Sequence, residues 1–321
     1  MKKILIVLLL FILLSFTGCD KNDGTIRVLL DWTPNTNHTG LYVALNKGWF
    51  EEEGLKVKIT QPPEDGALVL VASGRAEFGI TFQEELGPAI AKKDDALPLT
   101  AVAAIISHNT SGIMSLKSSG IQNPADLSGK RFASWETPVV RAVIRHIVEK
   151  DGGNYDSVNI IPNNATDAIS ALLTDVDAIW IYYCWDGINA EINSVDINYI
   201  DLGTYDSVLD FYTPVLVTNT DWASKNPETV KKFMNAVSKG YNFAMENPEE
   251  AADILLRYAP ELDRQLVVRS QQYLQSCYQG DAKRWGEIDP QRWGIFYKWM
   301  HVQGLLETDI GANGFTNEYL P

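Results

Sequence analysis

Aromatic rings and hydrogen-bonding side chains occur together at four places in the sequence, each directly after a short apolar run. The segments are residues 31–40 (DWTPNTNHTG), 81–85 (TFQEE), 135–138 (WETP) and 182–186 (YYCWD). Flat rings can enclose a planar heterocycle, and each stacked pair contributes ~0.5–1.5 kcal/mol beyond the buried area. Carboxylates and amides beside the rings can pair with ring nitrogens and exocyclic amines, which gives discrimination. The pattern indicates an aromatic-lined binding site.

The candidate ligand-binding side chains in these segments are Asp31, Trp32, Asn37, His38, Phe82, Glu84, Trp135, Tyr182, Tyr183 and Trp185. Taken singly, each aromatic residue could equally belong to the core, because Trp and Tyr are highly buried on average. Their joint occurrence at four predicted strand ends favours a site. Glu84 and Glu85 are adjacent and do not share a helix face, so we expect one of them to face solvent.

Other kinds of site lack their sequence signatures. Asp31, His38 and Ser107 are not accompanied by a G-x-S-x-G nucleophile motif, and neither glycine-rich phosphate motif occurs. The four histidines are scattered and no CxxC is present, so we expect no metal site. We therefore expect no catalytic residue and no cofactor. Whether Cys184 and Cys277 form a disulfide is left open by their spacing.

Strands and helices alternate along most of the chain and must position the four segments. Strands are predicted at residues 26–30, 55–59, 78–82, 99–106, 113–116, 131–134, 158–161, 178–183 and 211–218, and helices at 41–47, 66–73 with Asp65 as N-cap, 84–92, 138–150, 166–173, 227–246, 248–258, 261–276 and 291–303. The βαβα order is typical of parallel sheets flanked by helices, and it restarts near residue 112. We expect two lobes, residues 26–111 plus 213–321 and residues 112–212. The ligand should lie in the cleft between them, at the carboxyl ends of strands.

The first residues predict export and a lipid anchor. Lys2 and Lys3 precede an apolar run at 4–14 that is too short for a membrane span of ~20 residues. Cys19 follows two small residues and begins a polar linker. We expect residues 1–18 to be a signal peptide, and lipidated Cys19 with its linker to 25 to hold the chain extracytoplasmically on the cell membrane. The alternative is an ordinary signal peptide that ends near a cysteine.

The charge balance excludes nucleic acid as a partner. The chain has 27 basic and 41 acidic side chains, and removal of residues 1–18 takes away two lysines and leaves a net charge of −16. Nucleic-acid binding depends on lysine and arginine neutralising phosphates. With 45% apolar residues over 321 positions, the chain can form a large core and two domains.

Five stretches resemble the NMT1/THI-type substrate-binding proteins of ABC importers, in particular the ThiY-like members that bind thiamin pyrimidine precursors. They are residues 30–44 (LDWTPNTNHTGLYVA), 77–85 (EFGITFQEE), 180–185 (WIYYCW), 282–287 (AKRWGE) and 315–318 (FTNE). The likeness extends over essentially the whole mature chain.

The resemblance implies a type 2 periplasmic-binding fold, α/β in class, with two lobes of mixed sheets that close on a formylated, free aminomethyl or hydroxymethyl aminopyrimidine for thiamin salvage. It places Trp32 on the pyrimidine ring, and Asn37, residues 182–185 and Glu191 along its edges. It further implies an ABC permease as partner, a monomeric receptor and no enzyme activity.

Two alternatives to this interpretation stay open. The same fold serves a eukaryotic pyrimidine synthase that uses pyridoxal phosphate. Such an enzyme needs a pocket lysine, and Thr81 stands at the matching position. A receptor for an alkylsulfonate, taurine or nitrate should present arginine or a helix N-terminus to the anion. The candidate residues here are instead aromatic, amide and carboxylate.

Overall fold

The computed structural model of the chain describes residues 24–62, 66–162 and 167–321. The predicted signal peptide, Cys19 and most of the predicted linker lie outside these residues, as does Asp65, the predicted cap of the second helix. In the part of the chain that is described, this helix begins at Ala67 and has Gly66 as its N-cap residue. None of the described helices is both long enough and apolar enough to cross a membrane.

The first sheet has five strands, in the order β2-β1-β3-β10-β4. They are β1 (Thr25–Leu29), β2 (Lys56–Thr60), β3 (Phe78–Thr81), β4 (Leu99–Ala104) and β10 (Val215–Asn219). β1 is parallel to β2 and β3, with Val28 opposite Ile59 and Phe78, while β10 runs antiparallel between β3 and β4. The carboxyl ends of β1 and β3 therefore place residues 31–40 and 81–85 at one edge of the sheet.

The second sheet also has five strands, in the order β7-β6-β8-β5-β9. They are β5 (Ser111–Leu116), β6 (Arg131–Ser134), β7 (Asn159–Pro162), β8 (Ala178–Tyr182) and β9 (Ile197–Asp201). β6 is parallel to β7 and β8, and β5 is antiparallel to β8 and β9. Residues 135–138 and 182–186 leave the carboxyl ends of the parallel strands β6 and β8.

Helices cover the sheets and form most of the C-terminal third. They are α1 (Thr39–Asn46), α2 (Trp49–Glu52), α3 (Ala67–Ala72), α4 (Gln83–Ile90), α5 (Pro138–Lys150), α6 (Ala168–Thr174), α7 (Ile188–Ile192), α8 (Leu202–Tyr205), α9 (Thr220–Lys225), α10 (Pro227–Glu246), α11 (Pro248–Tyr258), α12 (Arg264–Leu274) and α13 (Pro290–Val302), with a π-helical turn at Tyr183–Gly187. α5 illustrates how sequence sets an element. Pro138 occupies its first turn, and Thr137 Oγ1 accepts the N–H of Val140 at 3.3 Å.

The ranges predicted for α5, α10, α11 and β6 match the structure, and the mixed sheets implied by the resemblance are confirmed. The prediction of parallel sheets from the alternating order is wrong for β5 and β10. Consecutive parallel strands are joined by a crossover connection within one sheet. β5 and β10 instead each follow a segment that arrives from the other sheet. The strand predicted at 211–218 begins only at Val215, because the Tyr212 N–H donates to Gln83 Oε1 at 2.8 Å instead of joining the sheet.

Packing of α1 on α10 fixes the loop that follows β1. A Cβ atom at Gly40 would overlap the ring of Tyr241, so the two helices meet at a position where only glycine fits. The hydroxyl of Tyr241 also donates to the carbonyl of Asn37 at 2.6 Å. The close approach of these helices therefore positions the segment that carries several candidate site residues.

The chain passes between the sheets twice, at residues 105–110 and 202–214, and the two passages are hydrogen-bonded to each other. The Asn109 N–H donates to Asp210 Oδ1 at 2.9 Å, and the Asn109 amide donates to the Leu209 carbonyl at 2.8 Å. Any movement of one sheet relative to the other must take place about these two connecting segments.

Candidate functional site

Three aromatic rings from both sheets meet at the carboxyl ends of strands. Phe82 follows β3, Tyr182 ends β8 and Trp135 follows β6. The Phe82 and Tyr182 ring centroids are 6.2 Å apart with planes 19° apart, and those of Trp135 and Tyr182 are 6.3 Å apart with planes 43° apart. Because Phe82 belongs to the first sheet and the other two rings to the second, the rings lie where the two sheets face each other.

Three carboxyl groups from the first sheet surround the Tyr182 side chain. Burial raises the pKa of Tyr182 well above its ordinary value, and the negative charges of Glu84, Asp31 and Glu85 raise it further. The Tyr182 hydroxyl lies 3.4 Å from Oγ1 of Thr213. Acids that follow the carboxyl ends of β1 and β3 therefore lie near a ring of the second sheet, as expected for residues at strand ends.

Glu84 is half-buried and Glu85 is exposed at the start of α4, and with Asp31, Phe82, Trp135 and Tyr182 they make up the group of side chains called the recess below. Burial raises the pKa of Glu84 well above its ordinary value, and the charge of Glu85 adds to this. Burial also raises the pKa of Glu85, offset in part by the Thr81 hydroxyl that donates to it at 3.0 Å. Glu85 is nevertheless the exposed member of the pair, as expected for one of the two.

His38 is buried behind Asp31 and orients it. Nδ1 of His38 accepts the N–H of Asn35 at 3.2 Å, so the ring hydrogen is on Nε2, which donates to Asp31 Oδ1 at 2.6 Å. The exposed fraction is 0% for the His38 side chain and 6% for that of Asp31. Both ring nitrogens of His38 are hydrogen-bonded within the chain. His38 therefore orients Asp31 and does not present a free nitrogen to a ligand, as its prediction as a ligand-binding residue would require.

Among the predicted ligand-binding residues, Asn37 Oδ1 and Glu84 Oε2 are buried acceptors without a hydrogen-bond partner in the described part of the chain. A buried polar atom left unpaired costs ~1–3 kcal/mol. Both residues were predicted to bind ligand, and both atoms call for an N–H or O–H donor.

Tyr183 and Glu191 belong to a second cluster. Tyr183 contacts the rings of Tyr199 and Tyr273, with centroids 4.7 and 5.4 Å away. Its hydroxyl donates to Glu191 Oε1 at 2.6 Å, and Arg269 Nη2 donates to Glu191 Oε2 at 3.0 Å. Successive residues at the end of a strand point to opposite sides, so Tyr183 turns away from the ring group of Tyr182. The structure thus places Glu191 as a link between α7 and α12, rather than as a free acceptor at the ligand edge.

The two remaining predicted rings differ in their surroundings. Trp32 is 59% exposed beside Asp31 and forms no ring pair with another aromatic side chain of the described residues. Trp185 is half-buried and packs against the core of the first sheet. Trp32 is therefore free to cover a ligand, whereas Trp185 serves packing between the sheets.

Asp186 lies in the segment after Tyr182 and was not among the predicted ligand-binding residues. Burial raises the pKa of Asp186 to about 6, against the lowering effect of the Tyr182 N–H, and the charge of Asp167 raises it as well. Asp186 forms no ion pair within the described part of the chain. The available signal was spacing, since Asp186 follows Tyr182 by one helical turn and so lies on the same side of the segment.

Cys184 and Cys277 are both free thiols, which answers the question that their spacing left open. Burial raises the pKa of the Cys184 thiol to about 12. Within residues 24–62, 66–162 and 167–321, no group of three or more His, Cys, Asp and Glu side chains could hold a metal ion. The recess is a set of rings and acceptors, suited to binding a planar molecule that carries N–H donors.

Solved binding proteins share the fold. The periplasmic aliphatic sulphonate binding protein SsuA of Escherichia coli superposes with a TM-score of 0.68 at 15% sequence identity, over 90% of this chain and 95% of that one. The alkanesulfonate-binding protein SsuA of Xanthomonas axonopodis pv. citri gives 0.67 at 14% identity, over 91% and 98%. The chain has the type 2 periplasmic-binding fold, with two α/β lobes built on mixed sheets.

Sequence relatives include a binding protein and several enzymes. The chain is 29% identical to the formylaminopyrimidine-binding protein of Halalkalibacterium halodurans, over 97% of each chain. It is 25% identical to the 4-amino-5-hydroxymethyl-2-methylpyrimidine phosphate synthase THI5 of Saccharomyces cerevisiae, over 92% of this chain and 87% of that protein. The family model described as NMT1/THI5 like matches residues 35–251. Because this match spans more than half of the sequence, the chain belongs to the NMT1/THI5-like family.

Proposed function

We propose that this chain is a binding protein for a 4-aminopyrimidine with a short side arm, of the formylaminopyrimidine type that the Halalkalibacterium relative is named for. One observation carries the proposal: aromatic rings from both sheets meet beside acceptors that lack donors. The ring faces provide stacking for the pyrimidine. The acceptor atoms of Asn37 and Glu84 provide partners for its amino group.

Entry of a pyrimidine between Phe82 and Tyr182 requires the two rings to separate. The distance between ring faces cannot exceed the 6.2 Å between centroids. A ring held between two others needs ~7 Å, which is twice the optimal carbon–carbon contact distance. We therefore propose that the lobes, residues 26–111 plus 213–321 and residues 112–212, open by at least ~1 Å at this point and close again on the ligand. Only a ligand that contacts both lobes favours the closed form.

The proposed setting is that of an ABC importer. The lobes would deliver the ligand to a membrane permease, and a lipidated Cys19 would hold the monomeric chain at the extracytoplasmic face of the membrane for thiamin salvage. The fold neighbours with binding-protein names support the receptor part of this proposal.

Two other functions fit the recess less well. A synthase like the yeast relatives would need a lysine for a Schiff base. Thr81 at the matching position is buried and donates to Glu85. A sulfonate receptor would present cations to its ligand, whereas the recess presents Asp31, Glu84 and Glu85, which repel an anion. We therefore propose binding without catalysis.

Isothermal titration calorimetry of the chain from Asp20 onward tests the function. The ligands are formylaminopyrimidine, aminomethylpyrimidine, hydroxymethylpyrimidine, thiamin and taurine. We expect 1:1 binding of aminopyrimidines and none of taurine. Trp135→Ala should weaken binding by ~1–3 kcal/mol through lost stacking and buried area. Tyr258→Ala, which removes a comparably exposed ring on α11, should leave affinity unchanged. Binding of taurine alone would keep the fold and reject the ligand class.

A further inference from the structure

The recess collects negative charge without a matching cation. Asp31, Glu84 and Glu85 follow strands of the first sheet and act on Tyr182 of the second. Among the described residues, Glu84, Glu85 and Asp186 form no ion pair. The partner of Asp31 is a His38 ring whose Nδ1 acts as an acceptor, so that ring is neutral.

Three partly buried acids elsewhere in the described chain have cationic partners. The pairs are Arg27 with Glu77 at 2.7 Å, Lys150 with Asp206 at 2.6 Å and Arg292 with Asp210 at 3.1 Å. A buried carboxylate without a cation is costly unless another component supplies the charge. Glu84 and Glu85 have no such partner among the described residues, and a cationic ligand would supply it.

The unpartnered atoms define the chemistry of that partner. Glu84 Oε2 and Asn37 Oδ1 are buried acceptors that need N–H donors. A primary ammonium offers three N–H donors and a positive charge. An N-formyl group on the same nitrogen removes the charge, leaves one N–H and adds a carbonyl oxygen. That oxygen would be a further hydrogen-bond acceptor among carboxylates, and the recess offers it no donor.

We propose that the recess prefers an aminopyrimidine whose side arm ends in a free primary ammonium over the N-formylated and hydroxymethyl forms. This inference rests on the proposed function and names the form of the ligand within it. The rings of Phe82, Trp135 and Tyr182 hold the heterocycle, as they would for any member of the class. The carboxyl groups around Tyr182 hold the ammonium.

Calorimetry with three matched pyrimidines that differ only in the arm tests this preference. We expect the ammonium form to bind at least about tenfold more tightly than either neutral form, the gain of one charge-assisted hydrogen bond. Raising the salt concentration should weaken binding of the ammonium form alone. Equal or tighter binding of a neutral form overturns the inference and leaves the proposed function standing. If none of the three binds, the proposed function fails and the inference fails with it.

A charge-removing variant separates the carboxyl group from the shape of the site. Glu84→Gln keeps the size of the side chain, and we expect the ratio of ammonium to formyl affinity to fall at least about fivefold. Any loss in binding of the neutral forms should be smaller than the loss for the ammonium form. Glu228→Gln on α10 removes an exposed carboxyl of the same type, and that ratio should stay as in the wild type. Equal melting temperatures for both variants exclude misfolding, and an unchanged ratio in Glu84→Gln contradicts the inference.

The pH dependence gives a second readout. Burial raises the pKa values of Glu84 and Glu85, so these groups gain negative charge over a pH range above that of an ordinary carboxyl. A primary ammonium keeps its charge over this range. Affinity for the ammonium form should therefore rise with pH, and affinity for the hydroxymethyl form should not. An equal change of affinity with pH for both ligands would show that the carboxyl groups do not contact the side arm of the pyrimidine.

Discussion

At the scale of single residues, Asp186 shows how a binding site is maintained at a cost in stability. Its pKa is about 6 when folded against an ordinary value of 3.8. Between these pH values the folded chain binds more protons than the unfolded one, so the free energy of unfolding falls as pH rises through this window. The destabilisation is complete above about pH 6. A shift of about 2 units corresponds to ~3 kcal/mol at most, because the carboxyl keeps some contact with water.

Asp186→Asn should therefore raise the melting temperature at pH 8 by a few degrees, corresponding to roughly 1–3 kcal/mol, and leave it unchanged at pH 4. The same variant should weaken aminopyrimidine binding, because it removes an acid beside Tyr182. Thermal melts at both pH values and calorimetry at pH 8 measure the two effects. Asp196→Asn, at an exposed position before β9, should change neither quantity. Stabilisation that is equal at pH 4 and pH 8 would point to a cause other than titration of Asp186.

The residues that sequence could identify are those whose position depends only on the end of a strand. Phe82, Trp135 and Tyr182 follow from that rule, and the structure brings them together. His38 and Glu191 could not be placed in this way, because their roles depend on which partner their side chains reach. His38 turns inward to Asp31, and Glu191 reaches a residue 78 positions away. Such pairings are set by tertiary packing rather than by local pattern.

At the scale of elements, α12 contacts α7 through an ion pair, and it contacts the π-helical turn after β8 through a hydroxyl and the Tyr183–Tyr273 ring pair. Arg269 of α12 pairs with Glu191 of α7 at 3.0 Å, and the Ser270 hydroxyl donates to the Cys184 carbonyl. Because α12 follows β10 in the chain and α7 follows β8, these contacts link the two lobes. They stabilise the arrangement in which Phe82 of one lobe faces Tyr182 of the other.

Arg269→Ala should weaken ligand binding about two- to fivefold, since an exposed ion pair contributes ~0.2–1 kcal/mol, and high salt should remove the difference. Glu191→Ala should have an effect of the same size, and the exchanged pair Arg269→Glu with Glu191→Arg should recover affinity. Arg264→Ala breaks a pair with Asp253 within the C-terminal helices and serves as the control. A loss in Glu191→Ala tenfold greater than in Arg269→Ala would return Glu191 to the ligand edge, as the resemblance implied.

Element order was more predictable than element direction. The helices at 138–150, 227–246 and 248–258 could be bounded from caps and apolar spacing. The antiparallel direction of β5 and β10 could not be predicted, because it depends on which sheet the preceding segment enters. A sequence that alternates strands and helices carries no local mark for that choice.

At the scale of the whole molecule, the two passages between the sheets form the axis about which the lobes can move. His108 stands at this axis, with Nδ1 2.7 Å from Asp210 Oδ2 and Nε2 3.0 Å from Asp281 Oδ1. The hydrogen bond to Asp210 raises the pKa of His108, against the effects of burial and of Arg292, whose Nη1 lies 2.6 Å from Nδ1. His108 thus connects the second passage to the loop between α12 and α13.

The raised pKa gives this link a defined pH window. The folded state holds the His108 proton more tightly than the unfolded state, so its contribution is complete below pH ~6.5 and is lost as the pH rises through the folded pKa. His108→Gln should lower the melting temperature at pH 5.5 by about 1–2 °C more than at pH 8.5. The ring is 43% exposed, which limits the contribution to below ~1 kcal/mol. His301→Gln, which removes a ring of the same type beside the Leu306 carbonyl, is the matched control. Thermal melts of both variants measure the difference, and an equal loss at the two pH values in His108→Gln would mean that packing of the ring, rather than its charge, stabilises the axis.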